Sequence, residues 1–463
     1  MATIRFRDTI HNFIAFEGKE VDLIDAPVLQ RLRGIRQLAM ASLVYPGALH
    51  TRFDHTLGVT HVAGQMADAL GLDTEERRLV RFAALLHDIG HGPFSHVSEN
   101  ALERFANRTV LPAGQKKEKI HELITVHLIE NDKRIRDILG GDDCKRVIKL
   151  LQEGYGDPVL RGIVSGPLDA DKQDYLLRDS RFCGVDYGVF DIHQLQRSLV
   201  AEQHNHAQEL MIRLDGVHAV EQFVLAKYYL TTMVYRHRVR LITDQMITRA
   251  ITLGIEKDSI PTLQKLYEFD GSPTFIENYL GWNDSRFMMT FGHDAPDGSR
   301  CKLLLNRLNQ RWLLKRVFHL PVKEFTAEAR ERLLDVGKPA NNELRRKIEL
   351  AVASVLKEEF NADVDADFVI LHSYQIKSAR ESSRNDEASI LVSRPGQIPS
   401  HLEKESTLFA SIDERLSDQF VEVYAPVEWA DHTDRDRRLA RLAQPLKEAI
   451  QKNLPGIQQH FEL

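Results

Sequence analysis

Residues 85–96 are the most informative segment of this chain, and they read Leu85-Leu86-His87-Asp88-Ile89-Gly90-His91-Gly92-Pro93-Phe94-Ser95-His96. Three histidines and an aspartate crowd into the end of an apolar helix pattern. The adjacent imidazole and carboxylate can hold a divalent metal, and the two later imidazoles can act on whatever that metal binds. Of the 20 histidines, eight lie between residues 50 and 127, so this density indicates a chemical site.

The residues before this segment predict a helix. Apolar side chains recur at Leu79, Phe82, Ala83 and Leu86, which is the i, i+3, i+4, i+7 spacing of one helix face. We expect Thr74 to be the N-cap and the helix to end at Gly90. His87 and Asp88 then belong to its last turn, where side chains are both anchored and reachable.

Three further helical segments carry polar residues. One contains an apolar stripe at residues 59, 62, 63 and 66, with His55 at its start. A second should begin after Gly166-Pro167 and place Asp171, Tyr175 and Asp179 on one face, because they are four residues apart. A third is a long helical region over residues 218–255 that carries Lys227 and Tyr235.

The composition changes near residue 360. Residues 368–371 and 420–424 are predicted to be strands, residues 377–387 a polar loop, and residues 343–357 and 433–452 helices. We therefore predict a mainly α fold, with a helical core over residues 1–335 and a small α+β lobe over residues 336–463.

Composition excludes several classes of protein. No apolar run approaches the length of a membrane span, and the first residues lack the apolar core of a signal peptide. Cys144, Cys183 and Cys301 are scattered without a CxxC spacing, which indicates a reducing, cytoplasmic setting and no sulfur metal site. The net charge of −6 does not indicate nucleic acid, so positive charge for a polyanion must be focused in a cleft.

Adjacent residues alone cannot surround a metal ion. His87 and Asp88 therefore need ligands from elsewhere in the chain, and the candidates are His55 and Asp171. Two or three imidazoles with two carboxylates suit Mn, Fe, Mg, Co, Ni or Zn, and the sequence does not choose among these metals.

Three separated motifs carry a family resemblance: residues 45–55, residues 87–96 and residues 171–175. His55, His87-Asp88 and Asp171 resemble the four-ligand signature of the HD-domain phosphohydrolases. The longer motifs, which include Tyr45-Pro46-Gly47-Ala48 and Asp171-Lys172-Gln173-Asp174-Tyr175, resemble the deoxynucleoside triphosphate (dNTP) triphosphohydrolases. Within that family they are similar to the catalytic core of the sterile-alpha-motif/HD dNTPase and its bacterial relatives.

This resemblance implies a reaction. Water attacks the α-phosphorus of a dNTP and releases deoxynucleoside and intact inorganic triphosphate. The resemblance assigns His55, His87, Asp88 and Asp171 to the metal and His96 to protonation of the leaving 5′ oxygen. Roles at the α-phosphate are implied for His91, His121 and Arg52.

The resemblance also implies contacts along the substrate. Lys172, Tyr175 and Lys227 correspond to triphosphate contacts, although the family can use arginine at residue 227, and lysine lacks its bidentate fork. Gln37 and Asp179 correspond to groups that bind the 3′ hydroxyl. Tyr235 corresponds to the ring that packs against the 2′ carbon and leaves no room for a 2′ hydroxyl.

Related enzymes are often activated by nucleotides between subunits, which implies a homo-oligomer, either a tetramer or a dimer. Asp25, Gln30, Arg33 and Arg213 keep part of that activator pattern. Arg7, Asp215 and Ala219 depart from it, so a guanine activator, a different activator and no activator all stay open.

Each assignment has a simpler structural alternative. Asp171 could be a helix N-terminal acid, and His91 and His96 could be loop histidines that bind backbone groups. His121 and Lys227 could be surface residues, and Tyr235 could belong to the core. Competing functions are an HD phosphohydrolase with another substrate (a monophosphatase or a single-strand nuclease), a non-catalytic nucleotide sensor, and a nucleic-acid-binding assembly protein.

Overall fold

A computed structural model describes residues 3–112, 118–152, 156–337, 341–376, 389–411 and 418–454. Helices dominate these residues, which confirms the mainly α fold class. None of the helices in these ranges combines the length and the apolar character that a bilayer-spanning segment needs.

The α-helices are α1 Lys19–Ile24, α2 Pro27–Gln30, α3 Arg52–Ala69, α4 Thr74–Leu86, α5 His96–Phe105, α6 Ile120–Asn131, α7 Lys133–Leu139, α8 Gly141–Leu151, α9 Pro158–Ser165, α10 Ala170–Cys183, α11 Ile192–Arg197, α12 Val217–Leu230, α13 Arg238–Glu256, α14 Pro261–Tyr267, α15 Pro273–Leu280, α16 Asp284–Phe287, α17 Arg300–Asn309, α18 Ala327–Asp335, α19 Asn342–Phe360, α20 Leu402–Glu405, α21 Thr407–Ser411 and α22 His432–Lys452. Short 3-10 helices lie at Arg31–Gly34, Ala41–Leu43, Arg108–Val110, Leu214–Gly216, Val322–Glu324 and Ala366–Phe368. Segments of π-helix lie at Thr231–Tyr235 and Met288–His293.

The strands are β1 Thr3–Asp8, β2 Asn12–Glu17, β3 Leu199–His204, β4 Ala207–Arg213, β5 Lys315–Pro321, β6 Ile370–Ile376, β7 Leu391–Ser393, β8 Ser400–His401 and β9 Asp418–Ala425. Among the described residues they form the antiparallel hairpin β1-β2, the sheet β3-β4-β7-β8 and the antiparallel sheet β5-β9-β6. In the second of these, β4 and β7 run parallel.

The chain divides into two compact units. The first comprises the described residues of Met1–His237, Lys265–Phe287 and Lys377–Leu416, and the second those of Arg238–Gln264, Met288–Ile376 and Ser417–Leu463. This interleaved division differs from the predicted boundary between residues 335 and 336, because β5 precedes that boundary but pairs with the later strand β9.

Helices α3, α4 and α10 form the frame of the first unit, since α3 packs against both of the others. A capping box of Thr51 and Asp54 starts α3, and its predicted apolar stripe at residues 59, 62, 63 and 66 is buried. Asp169 caps α10, as its side chain accepts a hydrogen bond from the Lys172 N–H. The predicted helix after Gly166-Pro167 is therefore present.

Two predictions about helix ends are wrong. Asp73, and not Thr74, caps α4, because its carboxylate accepts the N–H groups of Glu75 and Glu76 while the Glu76 side chain bonds back to the Asp73 N–H. The helix ends at Leu86, so His87 is the residue that follows it and Gly90 lies in the subsequent turn.

The predicted helix over residues 218–255 is interrupted. After α12 the Arg236 N–H bonds to the Thr231 carbonyl five residues back, which is π-helical pairing, and α13 begins only at Arg238. No proline or glycine marks this break in the sequence.

In the second unit, one face of the β5-β9-β6 sheet contributes Leu371, Val421 and Val423 to a buried core with residues of α19 and α22. The two predicted helices of this region are confirmed as α19 and α22. Strand β6 begins at Ile370, and not at Phe368, because Asp365 caps a 3-10 turn over Ala366–Phe368. The predicted loop over residues 377–387 lies outside the described residues.

Candidate functional site

Four side chains from three separated segments converge in the first unit. His55 comes from the first turn of α3, Asp171 from the first turn of α10, and His87 and Asp88 from the turn directly after α4. His55 Nε2 lies 2.9 Å from Asp171 Oδ1 and 4.0 Å from Asp88 Oδ2. His87 Nε2 lies 3.3 Å from Asp88 Oδ1 and 3.9 Å from Asp171 Oδ1. Two ligand atoms bound to one cation at bonds of about 2.1 Å are roughly 3–3.5 Å apart, so this spacing fits a shared ion.

The hydrogen bonds of His87 give a test of that fit. Its Nδ1–H donates to the Ala84 carbonyl at 2.7 Å, which leaves the Nε2 lone pair facing two carboxylates. Within the described residues, this buried Nε2 has no hydrogen-bond partner. A cation between them would accept the Nε2 lone pair and would offset part of the charge of both carboxylates. His55, His87 and Asp171 could therefore hold a metal ion, with Asp88 beside them.

The charge of this cluster is balanced by neighbours. Burial alone would raise the pKa of Asp88, but Arg52 and the imidazoles of His87 and His91 hold that pKa well below its ordinary value. Burial would lower the pKa of His55, but its hydrogen bonds to Asp171 and Asp174 raise it to about 10. Burial would likewise raise the pKa of Asp171, but the hydrogen bond from His55 lowers it to about 2, so Asp171 is held in the ionised form that a metal ligand needs.

Arg52 connects the cluster to the loop after α4. Its Nη1 donates to Asp88 Oδ2 at 2.5 Å and its Nε donates to Ser95 Oγ at 2.7 Å. The third nitrogen, Nη2, is buried and unpaired among the described residues. It is therefore a donor placed beside the candidate ligands, where a phosphate oxygen could accept from it.

The three other predicted catalytic residues gather around one carboxylate, Glu99 on α5. Its Oε1 lies 2.8 Å from His91 Nδ1, 2.9 Å from His96 Nδ1 and 3.4 Å from His121 Nδ1. Burial would raise the pKa of Glu99, but His96 and His91 hold it well below its ordinary value. Glu99 is not among the residues predicted from the sequence, although its position three residues after His96, on the same helix face, is a usable signal.

Glu99, His91 and His121 are close enough to hold a second ion by distance alone. The rings of His91 and His121, however, stack 4.4 Å apart at an interplanar angle of 18°. Imidazole lone pairs lie in the ring plane, so two stacked parallel rings cannot aim them at one ion. His96 Nδ1 hydrogen-bonds to Glu99, whereas His91 Nδ1 and His121 Nδ1 are buried without a hydrogen-bond partner among the described residues.

His96 differs from its two partners in exposure. Its side chain is 63% exposed, whereas those of His91 and His121 are 4% and 10% exposed. His96 follows Phe94 and Ser95, which both have positive φ. Such backbone costs about 1–3 kcal/mol per residue and needs support from its surroundings.

That support comes from Asp284, which is buried, and from Arg31, which is half-buried. Asp284 accepts the N–H groups of Phe94 at 2.8 Å and of Arg36 at 3.0 Å. Arg31 donates to the carbonyl of His91 at 2.7 Å. Asp284 and Arg31 therefore hold the backbone of the loop that carries His91 and His96. Neither residue is among those predicted from the sequence.

The predicted sugar contacts also come together. Tyr235 donates to Asp179 Oδ2 at 2.6 Å, and His50 Nε2 donates to Asp179 Oδ1 at 2.8 Å. The Gln37 N–H donates to the His50 carbonyl at 3.1 Å, and Gln37 Oε1 is a buried acceptor without a partner in the described residues. Tyr175 meets Tyr235 edge to face at 6.3 Å. His50 is thus a missed member of this group.

The two predicted lysines are placed differently. Lys172 Nζ donates to its own helix cap, Asp169 Oδ2, at 2.6 Å and to the Gly166 carbonyl at 3.1 Å. Lys227 lies on the last turn of α12 and is half-buried. The triphosphate roles of both residues stay predictions.

The predicted activator residues form a partial cluster. Gln30 Oε1 accepts from Arg33 Nε at 2.8 Å, and Asp25 caps the end of α1 nearby in the chain. Arg213 lies on β4 and donates to the Arg197 carbonyl. An activator role for these residues stays a prediction.

Comparison with known proteins identifies the family to which this chain belongs. The HD domain matches residues 52–176, and the HD associated region matches residues 191–442, which is more than half of the chain. The chain belongs to the HD-domain phosphohydrolase family. The HD domain contains all four candidate metal ligands, as well as Arg52, His91, Glu99, His96 and His121.

Relatives of this HD protein come from distant organisms. An uncharacterised protein of Methanocaldococcus jannaschii is 36% identical over 256 residues, which cover 55% of this chain and 50% of that protein. A homologue of the deoxynucleoside triphosphate triphosphohydrolase SAMHD1 in Dictyostelium discoideum is 30% identical over 262 residues, which cover 53% of this chain and 48% of that protein. The chain thus spans about half the length of these relatives. The crystal structure of a hypothetical protein of Aquifex aeolicus, at 25% identity, matches with a TM-score of 0.69 over 95% of this chain and all of that chain.

Proposed function

We propose that this protein is a metal-dependent dNTP triphosphohydrolase, which releases deoxynucleoside and inorganic triphosphate by attack of water at the α-phosphorus. The observation that carries the proposal is the pattern of unsatisfied buried atoms. His87 Nε2, Arg52 Nη2 and Gln37 Oε1, all without partners in the described structure, are a metal-ligating lone pair, a donor and an acceptor. A cation needs the lone pair, a phosphate oxygen needs the donor, and a sugar hydroxyl needs the acceptor. The family resemblance assigns these same roles to His87, Arg52 and Gln37.

The metal residues would be His55, His87, Asp88 and Asp171, and a divalent cation held there supplies Lewis acidity toward a phosphate oxygen and a nearby water. Arg52 Nη2 would donate to an α-phosphate oxygen beside it. Arg52 keeps its Nη1 on Asp88 and its Nε on Ser95, so the guanidinium plane is fixed before substrate binds. Such preorganised positive charge favours the more highly charged transition state.

His96 would protonate the 5′ oxygen as the bond from phosphorus to that oxygen breaks. Its Nδ1–H donates to Glu99, so the proton that leaves must come from Nε2, on the far side of the ring. The Glu99 carboxylate stabilises the imidazolium before transfer, in the manner of a carboxylate that orients a general acid. The exposure of His96 is consistent with a side chain that meets substrate from a cleft.

The sugar would bind beside Asp179 and Tyr235, with Gln37 linked to this pair through His50. Asp179 has one oxygen on His50 and the other on Tyr235, which holds the tyrosine ring in place. A ring packed against the 2′ carbon discriminates against ribonucleotides by steric exclusion. The similarity to the Dictyostelium homologue of a deoxynucleoside triphosphate triphosphohydrolase supports this substrate class.

Product identification tests the proposal. The purified protein is incubated with Mn²⁺ or Mg²⁺ and each dNTP, each NTP or a single-stranded oligonucleotide, singly and in mixtures. We expect deoxynucleoside and triphosphate in equal amounts from one or more dNTPs. Release of monophosphate alone, cleavage of the oligonucleotide alone, or binding without turnover would instead favour one of the competing functions. Dependence on a mixture of nucleotides would indicate an activator.

A further inference from the structure

His55 lies between two carboxylates of helix α10. Its Nε2 bonds to Asp171 Oδ1 and its Nδ1 to Asp174 Oδ2, both at 2.9 Å. Asp171 is a candidate metal ligand, whereas Asp174 contacts the opposite edge of the ring. Because Nδ1 is engaged by Asp174, Nε2 is the nitrogen that faces the metal site.

Asp174 is fully buried and its oxygens are saturated with donors. Arg178 binds both of them, with Nε at 2.8 Å from Oδ2 and Nη2 at 2.9 Å from Oδ1. His11 Nε2 lies 2.7 Å from Oδ1. The bidentate fork and the two imidazoles fix this carboxylate in position and orientation.

The fixing groups come from the N-terminal hairpin. His11 lies in the turn between β1 and β2, and Asp8 at the end of β1 accepts from Arg178 Nη1 at 2.8 Å. Asp8 also accepts the N–H groups of Ile10 and His11, both at 2.8 Å, so the turn itself is tied to the arginine. These contacts join residues about 160–170 positions apart in the chain.

Helix α3 leaves space for this network. A Cβ atom on Gly58 would lie 2.0 Å from Asp174 Oδ1 and 2.3 Å from Arg178 Nη2. Gly58 is one turn after His55 on the same helix, so its lack of a side chain lets the buried ion pair pack directly behind the ligand.

We propose that Asp174 is a positioning residue for the metal centre: it holds the His55 ring with Nε2 toward the cation, and His11 and Arg178 hold Asp174. This inference rests on the metal site of the proposed function, but not on its substrate. A carboxylate behind a ligating histidine fixes its tautomer and ring orientation, and its loss typically weakens metal binding by roughly 10–100-fold. The N-terminal hairpin is thereby part of the support of the site.

Mn²⁺ binding without nucleotide tests the proposal. The affinity of the full chain for Mn²⁺ is measured by the electron paramagnetic resonance of the free ion, next to thermal unfolding of the same samples. We expect Asp174→Asn to bind Mn²⁺ roughly 10–100-fold more weakly. His11→Phe keeps a ring of similar size but loses the donor, and we expect at least about a threefold loss from it.

Glu422→Gln is the matched control. Glu422 is also fully buried and bonds to Arg316 and His319, but it lies in the second unit and outside the site. We expect this variant to lower the melting temperature and to bind Mn²⁺ as the wild type does. A loss of stability alone would affect Asp174→Asn and Glu422→Gln alike. The affinity for Mn²⁺ therefore distinguishes a positioning role from a purely structural one.

Each outcome bears on the proposal. Wild-type affinity in folded Asp174→Asn overturns it, and if that variant does not fold, wild-type affinity in His11→Phe overturns it. If the wild type binds no Mn²⁺, the metal centre and this inference fail together. If Mn²⁺ binds as expected but no dNTP is cleaved, the proposed function fails and the positioning role stands.

Discussion

The Tyr235 hydroxyl donates a 2.6 Å hydrogen bond to Asp179 Oδ2, and this bond joins helix α10 to the π-helical segment after α12. It connects the two residues that we propose for the 2′ and 3′ positions of the sugar. The bond fixes the tyrosine ring. We therefore expect loss of the ring to change the discrimination between dNTPs and NTPs, and loss of the hydroxyl alone to change it little.

Tyr235→Ala removes the ring and should relax the discrimination against ribonucleotides. We expect the ratio of kcat/KM for a dNTP over its NTP to fall by about tenfold or more, which is the range of steric selection in a pocket. Tyr235→Phe keeps the ring and is the control, with a ratio within about threefold of the wild type. Steady-state kinetics on paired substrates measure both, and an unchanged ratio in Tyr235→Ala would reject this role.

Asp88→Asn should remove activity with little change in the size or shape of the side chain. The amide keeps the size of the carboxylate, but it loses the charge that faces Arg52 and the candidate cation. We expect kcat to fall by at least about 100-fold, since a metal contributes several kcal/mol to such a transition state. Asp73→Asn at the cap of the same helix is the control and should retain activity. Full turnover by Asp88→Asn is incompatible with the proposed metal mechanism.

His96→Gln should lower kcat by about 10²–10⁴-fold with little change in KM, because a general acid acts in the transition state. Glu99→Gln should have a smaller effect of the same kind, as the proton donor stays but its carboxylate partner is lost. The basic limb of the pH–rate profile should disappear in His96→Gln. If KM rises and kcat does not fall, His96 binds substrate and does not protonate it.

Gly90→Ala should destabilise the loop that follows α4. A Cβ atom there would lie 2.1 Å from the His121 carbonyl oxygen and 2.5 Å from Thr125 Oγ1, and a backbone carbonyl cannot move aside cheaply. We expect a loss of about 1–3 kcal/mol in stability, as in other overpacked sites, together with lower activity. Gly141→Ala, where a Cβ meets no atom within 4 Å, is the control. Thermal unfolding that does not separate the two variants would contradict this packing.

Acid stability should depend on Glu422. Burial would raise its pKa, but His319, Tyr424 and Arg316 lower it to about 2, from an ordinary value of 4.5. Because the folded pKa is depressed, the stabilisation is complete above about pH 4.5 and is lost as the pH falls toward about 2. The wild type should therefore lose stability more steeply across this window than Glu422→Gln. Parallel unfolding curves from pH 5 to pH 2 would show that the carboxylate does not contribute in this way.

The sequence predicts the site better than its surroundings. His55, His87, Asp88 and Asp171 are brought together as expected, since helix periodicity and family motifs both locate them. The residues that fix them were not predicted. His11 reaches Asp174 across 163 residues, and no local pattern encodes a contact of that range.

Other misses have local causes. The Asp73 cap was assigned to Thr74 because both residue types cap helices, although Glu76 three residues after Asp73 completes a capping box. The break after α12 arises from π-helical pairing without glycine or proline, so it left no signal in the sequence. The hairpins β1-β2 and β3-β4 were not predicted, although each pairs two strands that are neighbours in the chain. The parallel pairing of β4 with β7 joins segments that lie far apart in the chain, and no local pattern encodes it.

Hydrolysis in H₂¹⁸O, with the products separated and analysed by mass spectrometry, shows which atom of the dNTP water attacks. Attack of water at the α-phosphorus breaks the bond to the 5′ oxygen, so we expect one ¹⁸O atom in inorganic triphosphate and none in the deoxynucleoside. Label in the deoxynucleoside, or products limited to phosphate or diphosphate, would contradict attack at the α-phosphorus.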